Sequence, residues 1–417
     1  MAEGFITRRG GVSSEQALAP TINQISLNAT SITFTITNND TETATIAYRI
    51  SSSTADGETL SLAGGATSSN ITIGGLDAGT SYTIFSSANV QGKIKSNLTE
   101  FPFTTTVQFM SATGGTTLEY NESGKRYRSH TFTSSGNFVV NSLGSTSALN
   151  QVDYLIIAGG AGGGFQYGGG GGAGGYRTTN GTSGANSNAE SKITVTAQSY
   201  GITVGGGGAG SSTGSTPGQN GSNSTAFGIT SNGGGGGGAF ANNVNGLVGG
   251  SGGGGSAGPD SSGSGSIGGN GTVNQGFNGG NGWRQNSALK GGGGGGAGQA
   301  GSSVLQTNET TIDAEGPDQS KGGDGLSSII RTGSPEFRAG GGGGTLFPLR
   351  DGRRAPGGLG GGGFGSAGYF PNFVGTNGET NTGSGGGGNM DGSDEKNNPN
   401  AGGSGIVIIR YEIAPSA

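Results

Sequence analysis

Val152-Asp153-Tyr154-Leu155-Ile156-Ile157-Ala158-Gly159-Gly160-Ala161-Gly162-Gly163-Gly164-Phe165-Gln166-Tyr167-Gly168-Gly169-Gly170-Gly171-Gly172 is the stretch on which the fold turns. It opens with Tyr154–Ile157, apolar at every position, which is the pattern of a strand buried on both faces. At Ala158 the composition switches. Only 15 of the 100 glycines precede it. Beyond it, runs of four or more recur at Gly168–Gly172, Gly205–Gly208, Gly233–Gly238, Gly252–Gly255, Gly291–Gly296, Gly340–Gly344, Gly360–Gly363 and Gly385–Gly388. Their spacing is irregular, so this is no strict solenoid repeat. The chain then closes on a second β-branched strand, Ile406–Ile413.

Two physical states suit such a region. Glycine mixed with Ser, Thr and Asn is ordinarily a flexible linker. Alternatively, each run is a left-handed helix of three residues per turn, rising about 3.1 Å per residue, with amides pointing outward to neighbours on every side. Several features favour the packed state. Bulky side chains interrupt the glycine at Phe165, Tyr167, Phe240, Phe277, Trp283, Phe347 and Phe364. Strand-forming segments border the region at both ends. Charges inside it are sparse, and glycine stays in uninterrupted runs. A dense set of backbone hydrogen bonds must then offset the entropy glycine loses on ordering. A packed polyglycine II slab is therefore expected, and Gly235→Val is the substitution that separates slab from linker.

Composition excludes several classes. The 417 residues include no Cys, so there is no disulfide framework or thiolate site. No G-X-Y period and few prolines rule out collagen. No apolar run reaches membrane-spanning length, and the N-terminal MAEGFITRRGG lacks the apolar centre of a secretory signal. Net charge of −5 leaves no electrostatic footprint for nucleic acid.

Working outward, residues 1–19 read as a polar arm, either a disordered terminus or an arm that orders on a partner, with Phe5, Ile6, Arg8 and Arg9 as attachment candidates. Residues 20–105 read as an all-β module. Its strands are expected at Ile22–Leu27, Ile32–Ile36, Thr43–Ile50, Asn70–Ile73, Ser81–Ala88 and Leu98–Thr104, separated by Asn, Asp and Gly turns. Residues 106–157 form a second β region, with strands at Thr116–Tyr120, Arg126–Thr133, Asn137–Asn141 and Val152–Ile157. Ser134-Ser135-Gly136 is expected to be a hairpin turn there. The glycine-rich region, 158–405, carries strand signals at Lys192–Thr196, Tyr200–Val204 and Ala226–Thr230, and residues 406–417 supply the closing strand and tail.

Two resemblances follow from these residues. Gly75-Leu76-Asp77-Ala78-Gly79-Thr80-Ser81-Tyr82 resembles the tyrosine corner of fibronectin type III domains, which implies an Ig-like sandwich. His130–Phe138, Val152–Gly160, Gly172–Arg177, Tyr200–Gly205 and Gly402–Tyr411 together resemble the glycine-rich domain of phage virion and tail-fibre proteins. That resemblance implies a β-sandwich base whose first and last strands pair, carrying packed polyglycine II helices. In similar distal adhesins, the loops between glycine helices touch the host receptor.

Little catalytic chemistry is encoded. The one His, His130, starts a β-patterned turn and is expected on the surface or in packing. No nucleophile-elbow, HExxH or Walker pattern occurs, so no enzyme activity and no cofactor are expected. Acidic residues cluster at Asp313, Glu315, Asp318 and Asp324, and at Asp391, Asp394 and Glu395, without calcium-loop spacing. Solvated charge is the expected reading, and no metal is assigned. Long inserts on a rigid scaffold are where recognition resides. Receptor-contact candidates, chosen as aromatic and Arg residues, are Trp283, Arg284, Phe337, Arg338, Phe347, Arg350, Arg353, Arg354, Tyr369, Phe370 and Phe373. The expected protein is thus an all-β, glycine-rich structural component of a virion, on the tail or capsid surface. Its expected partners are other virion proteins, further copies of itself, and a host surface glycan or outer-membrane protein. The alternative is a capsid decoration or self-assembling filament protein without a specific receptor.

Overall fold

The computed structural model describes residues 15–51, 57–241, 244–259, 265–285, 287–304, 319–347, 354–368, 373–390 and 400–416. They are almost wholly β and extended chain, and they divide into two compact units.

The first unit holds the described residues up to Phe109 together with Gly144–Thr146. Its strands are β1 (Thr21–Leu27), β2 (Ser31–Thr37), β3 (Ala44–Ile50), β4 (Glu58–Leu62), β5 (Ile71–Gly74), β6 (Ser81–Val90) and β7 (Thr99–Thr104). They form two antiparallel sheets of order β1-β2-β5 and β4-β3-β6-β7. Alternation makes the core: Ile32, Phe34 and Ile36 of β2 meet Ile46 and Tyr48 of β3 and Ile84 of β6 in one buried cluster. Tyr82 stacks 5.7 Å from Phe103, and its hydroxyl accepts the Asp77 N–H at 2.9 Å. That bond ties the β5–β6 turn to the strand that follows. The expected strands stand within two residues of their ends, but β4 was not anticipated. Its five residues include no buried position, so its hydrophobic signal is weak.

The second unit begins with β8 (Ser111–Thr113), β9 (Thr116–Glu122), β10 (Lys125–Phe132), β11 (Gly136–Ser142), β12 (Gln151–Ile157), β13 (Tyr176–Thr178), β14 (Ile193–Thr194) and β15 (Ser199–Ile202). It continues through β16 (Ser224–Ala226), β17 (Ile229–Ser231), β18 (Trp283–Gln285), β19 (Ala288–Lys290), β20 (Leu326–Ser328), β21 (Glu336–Arg338) and β22 (Leu346–Phe347), and ends on β23 (Ile406–Ile413). The closing strand sits at the middle of the largest sheet, β13-β12-β23-β10-β9, with β14 on β12. A second sheet, β15-β11-β8, shares its core.

Both-face burial of β12 is real. Tyr154 and Ile156 join Phe138, Val407, Ile409 and Tyr411 in one cluster, while Leu155 and Ile157 join Tyr176, Ile406 and Ile408 in another. Three local expectations are corrected. Ser134-Ser135-Gly136 is no hairpin turn but a crossing between the two sheets, because both edges of β10 are already paired, with β9 and β23. Ala226–Thr230 is not one strand but lies across the β16–β17 hairpin, turned by Phe227 and Gly228 with φ of 53° and 76°. Lys192–Thr196 pairs only at Ile193–Thr194.

His130 is fully buried on β10, which corrects the surface half of its expected placement. Its Nδ1 donates to the Gly114 carbonyl at 2.6 Å, and its ring stacks 5.6 Å from Tyr411. Burial lowers its pKa below the ordinary value of 6.5. Below that value the unfolded chain binds more protons at this position than the folded one. The contribution of neutral His130 is therefore complete above about pH 6.5 and is lost as pH falls. The thermal midpoint of the second unit should decline as pH falls below about 6.5. A His130→Gln variant whose midpoint falls as steeply below about pH 6.5 would remove His130 as the source.

Above the sheets, glycine runs form a lattice held by backbone hydrogen bonds, with the run 168–175 at its centre. The N–H groups of Gly169, Gly172 and Gly175 donate to Gly238, Gly235 and Asn232. Those of Gly170 and Ala173 donate to Gly292 and Gly295, and those of Gly171 and Gly174 to Gly386 and Gly383. The carbonyls of Gly169, Gly172 and Gly175 accept from Gly164, Ala161 and Ala158. Those of Gly170 and Ala173 accept from Gly254 and Ser251, and that of Gly171 accepts from Gly342. Bond direction repeats every three residues, so this one run touches segments 158–164, 232–238, 251–254, 291–295, 342–345 and 383–386. Glycine is required by proximity: a Cβ on Gly170 would overlap the Gly342 carbonyl, and one on Gly172 the Ser251 carbonyl. One run departs from the expectation. Gly360 and Gly361 take φ of 96° and 100° in a turn, leaving Gly362 and Gly363 to rejoin the lattice.

Candidate functional site

The lattice has two unlike ends. Runs leave the sheets and return to them, so turns alternate between a basal end and a far end. The basal end carries β13, the β16–β17 hairpin, the turn at Thr272–Gln275 and the β20–β21 hairpin. Gln275 accepts the Tyr176 N–H at 2.9 Å. Tyr120 of β9 donates to the Ile330 carbonyl at 2.6 Å, and Ser129 of β10 to that of Arg331 at 2.8 Å.

The far end is built around the first turn of the lattice, Phe165-Gln166-Tyr167. Gln166 and Tyr167 hold φ of 52° and 53°, a left-handed pair that costs about 1 kcal/mol or more per non-glycine residue. The turn presents the Tyr167 ring between those of Phe240 and Phe347, each centroid 5.4 Å away. Arg284 on β18 stands 5.4 Å from the Phe240 ring and donates to the Pro259 carbonyl. β19 joins β18 to β22, which pairs Leu289 with Phe347. Lys290 is almost fully buried, with Nζ 5.5 Å from the Trp283 ring and 3.3 Å from the Gln319 side-chain oxygen. Phe373 packs on Leu346, Ala355 and Ala367. Aromatic rings and cations from five separated stretches of chain therefore gather on one end, supported by a rigid backbone array.

The sequence-derived candidates separate accordingly. Arg284, Phe347 and Phe373 lie in this end. Trp283 belongs to it as support, since only 3% of it is exposed. Arg354 borders this end next to Phe373, 4.7 Å over the Phe364 ring and donating to the Val374 carbonyl at 2.9 Å. Phe337 and Arg338 sit at the opposite, basal end on β21. Phe337 is half exposed, while Arg338 is buried and pairs with Glu336 at 3.1 Å. They close the long insert between Gly291–Gly296 and Gly340–Gly344, but within that insert the chain returns through the lattice at Gly322–Gly325. Arg350, Arg353, Tyr369 and Phe370 lie outside the described residues, as do Phe5, Ile6, Arg8 and Arg9. Tyr167 and Phe240 were read only as anchors. Their place at the first and third far turns was the available signal.

The ionisable groups are mostly paired. Glu190 at the basal end accepts from Arg177 at 2.7 and 2.9 Å and from the Tyr154 hydroxyl at 2.6 Å. It borders a polar cleft of about 740 Å³ shared with Asn186, Asn188 and Asn274. Burial and the adjacent Glu190 carboxylate both push the Tyr154 phenol above its ordinary range. Asp324 pairs with Lys321 at 3.2 Å and accepts the Leu359 N–H at 2.8 Å. The other acidic residues of the two clusters lie outside the described residues. Among the described residues no three His, Asp or Glu side chains gather as a metal-binding group, and no helix is long and apolar enough to cross a membrane.

Comparison with curated proteins returns no match, and comparison with solved structures returns none. A family model described as a glycine-rich domain matches residues 133–412, from the end of β10 through almost all of β23. That span contains the complete lattice and the two strands, β12 and β23, that flank it and pair with each other, so the chain belongs to the glycine-rich domain family.

Proposed function

We propose that this protein is a structural virion component, a phage tail-fibre or tail-tip adhesin that binds a host surface receptor non-covalently through the far end of its glycine lattice. In this reading the runs are polyglycine II helices standing on a β-sandwich base. The first unit is a fibronectin type III-like spacer, and the N-terminal arm attaches the protein to other virion proteins. The three-residue repeat in hydrogen-bond direction supports the helical reading, and the Tyr82–Asp77 bond supports the spacer reading.

One observation carries the adhesin reading: aromatic rings and the Arg284 guanidinium from distant stretches meet at one end of the lattice. Aromatic residues and Arg are enriched at interfaces, and an aromatic face flanked by polar groups also suits a glycan. Several copies on one particle would add avidity.

Excising the whole insert Ser302–Glu336 would also remove lattice run 320–325 and strand β20. Exchanging residues 306–317 for a short Gly-Ser linker, combined with Phe347→Ala, leaves those elements in place. Particles carrying this variant should adsorb to host cells at least about tenfold more slowly, a loss of about 1.4 kcal/mol, with assembly unchanged. Normal adsorption would exclude the far end as the receptor surface. An antibody against residues 20–105 should label tails. Labelling of heads would favour the decoration reading.

A further inference from the structure

Inside the lattice each glycine run finds backbone carbonyls in all three directions. At its sides this fails, and side chains take over. In run 233–238, Gly234 and Gly237 donate to Gly159 and Gly162, and Gly235 and Gly238 to Ser251 and Gly254. The third direction meets no run. There Gly233 donates to Oδ1 of Asn223 and Gly236 to Oδ1 of Asn220, both at 2.9 Å.

The pattern recurs on other sides of the lattice. Gly268 and Gly271 donate to Asn281 and Asn278 at 2.9 and 2.8 Å. Ile267 donates to Asn245 at 3.0 Å, and Ala401 to Asn377 at 2.9 Å. Each of these Asn residues is exposed and belongs to the adjoining run. Most precede a glycine whose own N–H enters the lattice: Gly221 donates to Gly234, Gly246 to Ile267 and Gly378 to Ala401. An Asn-Gly pair thus closes an edge with its side chain while its backbone holds the adjoining run. An amide oxygen is chemically the same acceptor as the peptide carbonyl it replaces.

We propose that these asparagines terminate the lattice, closing side faces that would otherwise bind a further glycine-rich chain, and that the chain they exclude is a second copy of this protein. A row of unpaired N–H groups with no side chain on its Cα atoms is a template for another backbone, as at the edge of a β-sheet. The complementary surface is present on every copy. Run 203–211 has Gly206 and Gly207 exposed, and the carbonyls of Gly207 and Gly210 accept no backbone N–H among the described residues. The caps therefore close the faces at Gly233 and Gly236, at Gly268 and Gly271, and at Ala401, while run 203–211 keeps an open face.

The test uses the full chain with Asn220→Ala and Asn223→Ala together. In sedimentation velocity across a hundredfold concentration range, the variant should shift to at least twice the parent's mass. Asn220→Asp with Asn223→Asp, which keeps the acceptor oxygen, should sediment as the parent does. In hydrogen exchange, the amides of Gly233 and Gly236 should exchange at least tenfold faster in the alanine variant, with Gly234 and Gly237 unchanged. An alanine variant that keeps the parent's mass throughout, or unchanged exchange at Gly233 and Gly236, overturns the proposal. Should the double variant fail to fold, Asn377→Ala, which uncaps Ala401 alone, is read by the same two measurements at Ala401 with the same outcomes.

Discussion

Valine at Gly235 should cost the second unit about 4 kcal/mol or more, enough to leave the lattice unfolded or open to protease at growth temperature. Gly235 is buried; it donates to the Ser251 carbonyl at 2.9 Å and accepts from Gly172 at 2.8 Å. A Cβ there would overlap the carbonyl of Leu247. The obstacle is backbone held by its own hydrogen bonds, so no flexible side chain can move aside, and a lattice shift would break bonds in neighbouring runs. Gly206→Ala is the matched control. That glycine is exposed, nothing lies within 4 Å of a Cβ added to it, and its φ is not in the left-handed region. Thermal unfolding and limited proteolysis of both variants decide the matter. Equal stability of Gly235→Val and parent would mean that the runs are linkers.

Arg410→Leu should be nearly as damaging, at about 3–5 kcal/mol, because it leaves a buried carboxylate without its main partner. Arg410 on β23 and Asp153 on β12 are each 3% exposed and pair at 3.2 Å. Arg410 also donates to Glu122 and, at 2.9 Å, to the Tyr120 hydroxyl, and its guanidinium lies 4.4 Å from the Tyr127 ring. Lys192, at 3.1 Å from Asp153, is half exposed and compensates only in part. Replacing both members, Arg410→Leu with Asp153→Leu, should recover much of the loss, since no buried charge then stands alone. Chemical denaturation of the two variants measures this. A double variant no better than the single one would show that the pair contributes more than mutual neutralisation.

Much of the scaffold was legible because its signals are local. Alternation in Ile32–Ile36 marks a half-buried strand, and the unbroken apolar run Tyr154–Ile157 marks one covered on both sides. Ile406–Ile413 carries so strong a β pattern that its ends agree with those of β23. Short segments were less legible. β8, β4 and β14 have two to five residues; β4 buries none of them, and β8 and β14 pair with strands more than twenty residues away. The crossing at Ser134–Gly136 illustrates the same limit. Its residues suit a hairpin, but β23, more than 270 residues later, already occupies the edge that β11 would need.

The candidate site divides along the same line. Residue type alone singled out Arg284, Phe347 and Phe373, but it grouped Phe337 and Arg338 with them. The number of passes the chain makes through the lattice decides which end a residue reaches, and the run 320–325 contains too little continuous glycine to be counted as a pass. The edge caps had a sequence signature, Asn-Gly at lattice register, yet an isolated Asn-Gly reads first as a turn.

By itself, the sequence determined that the glycine region either packs backbone against backbone or stays a linker, because so few large side chains remain to build a core, and the strands at both borders favoured packing. Tertiary structure alone decided which run lies at the centre, which faces asparagine closes, and which aromatic residues meet at the far end. Every glycine offers the same donor and acceptor, so a run carries no local instruction about its neighbours. That choice falls to the β frame, to the side chains that cap the edges, and to the lengths of the turns between them.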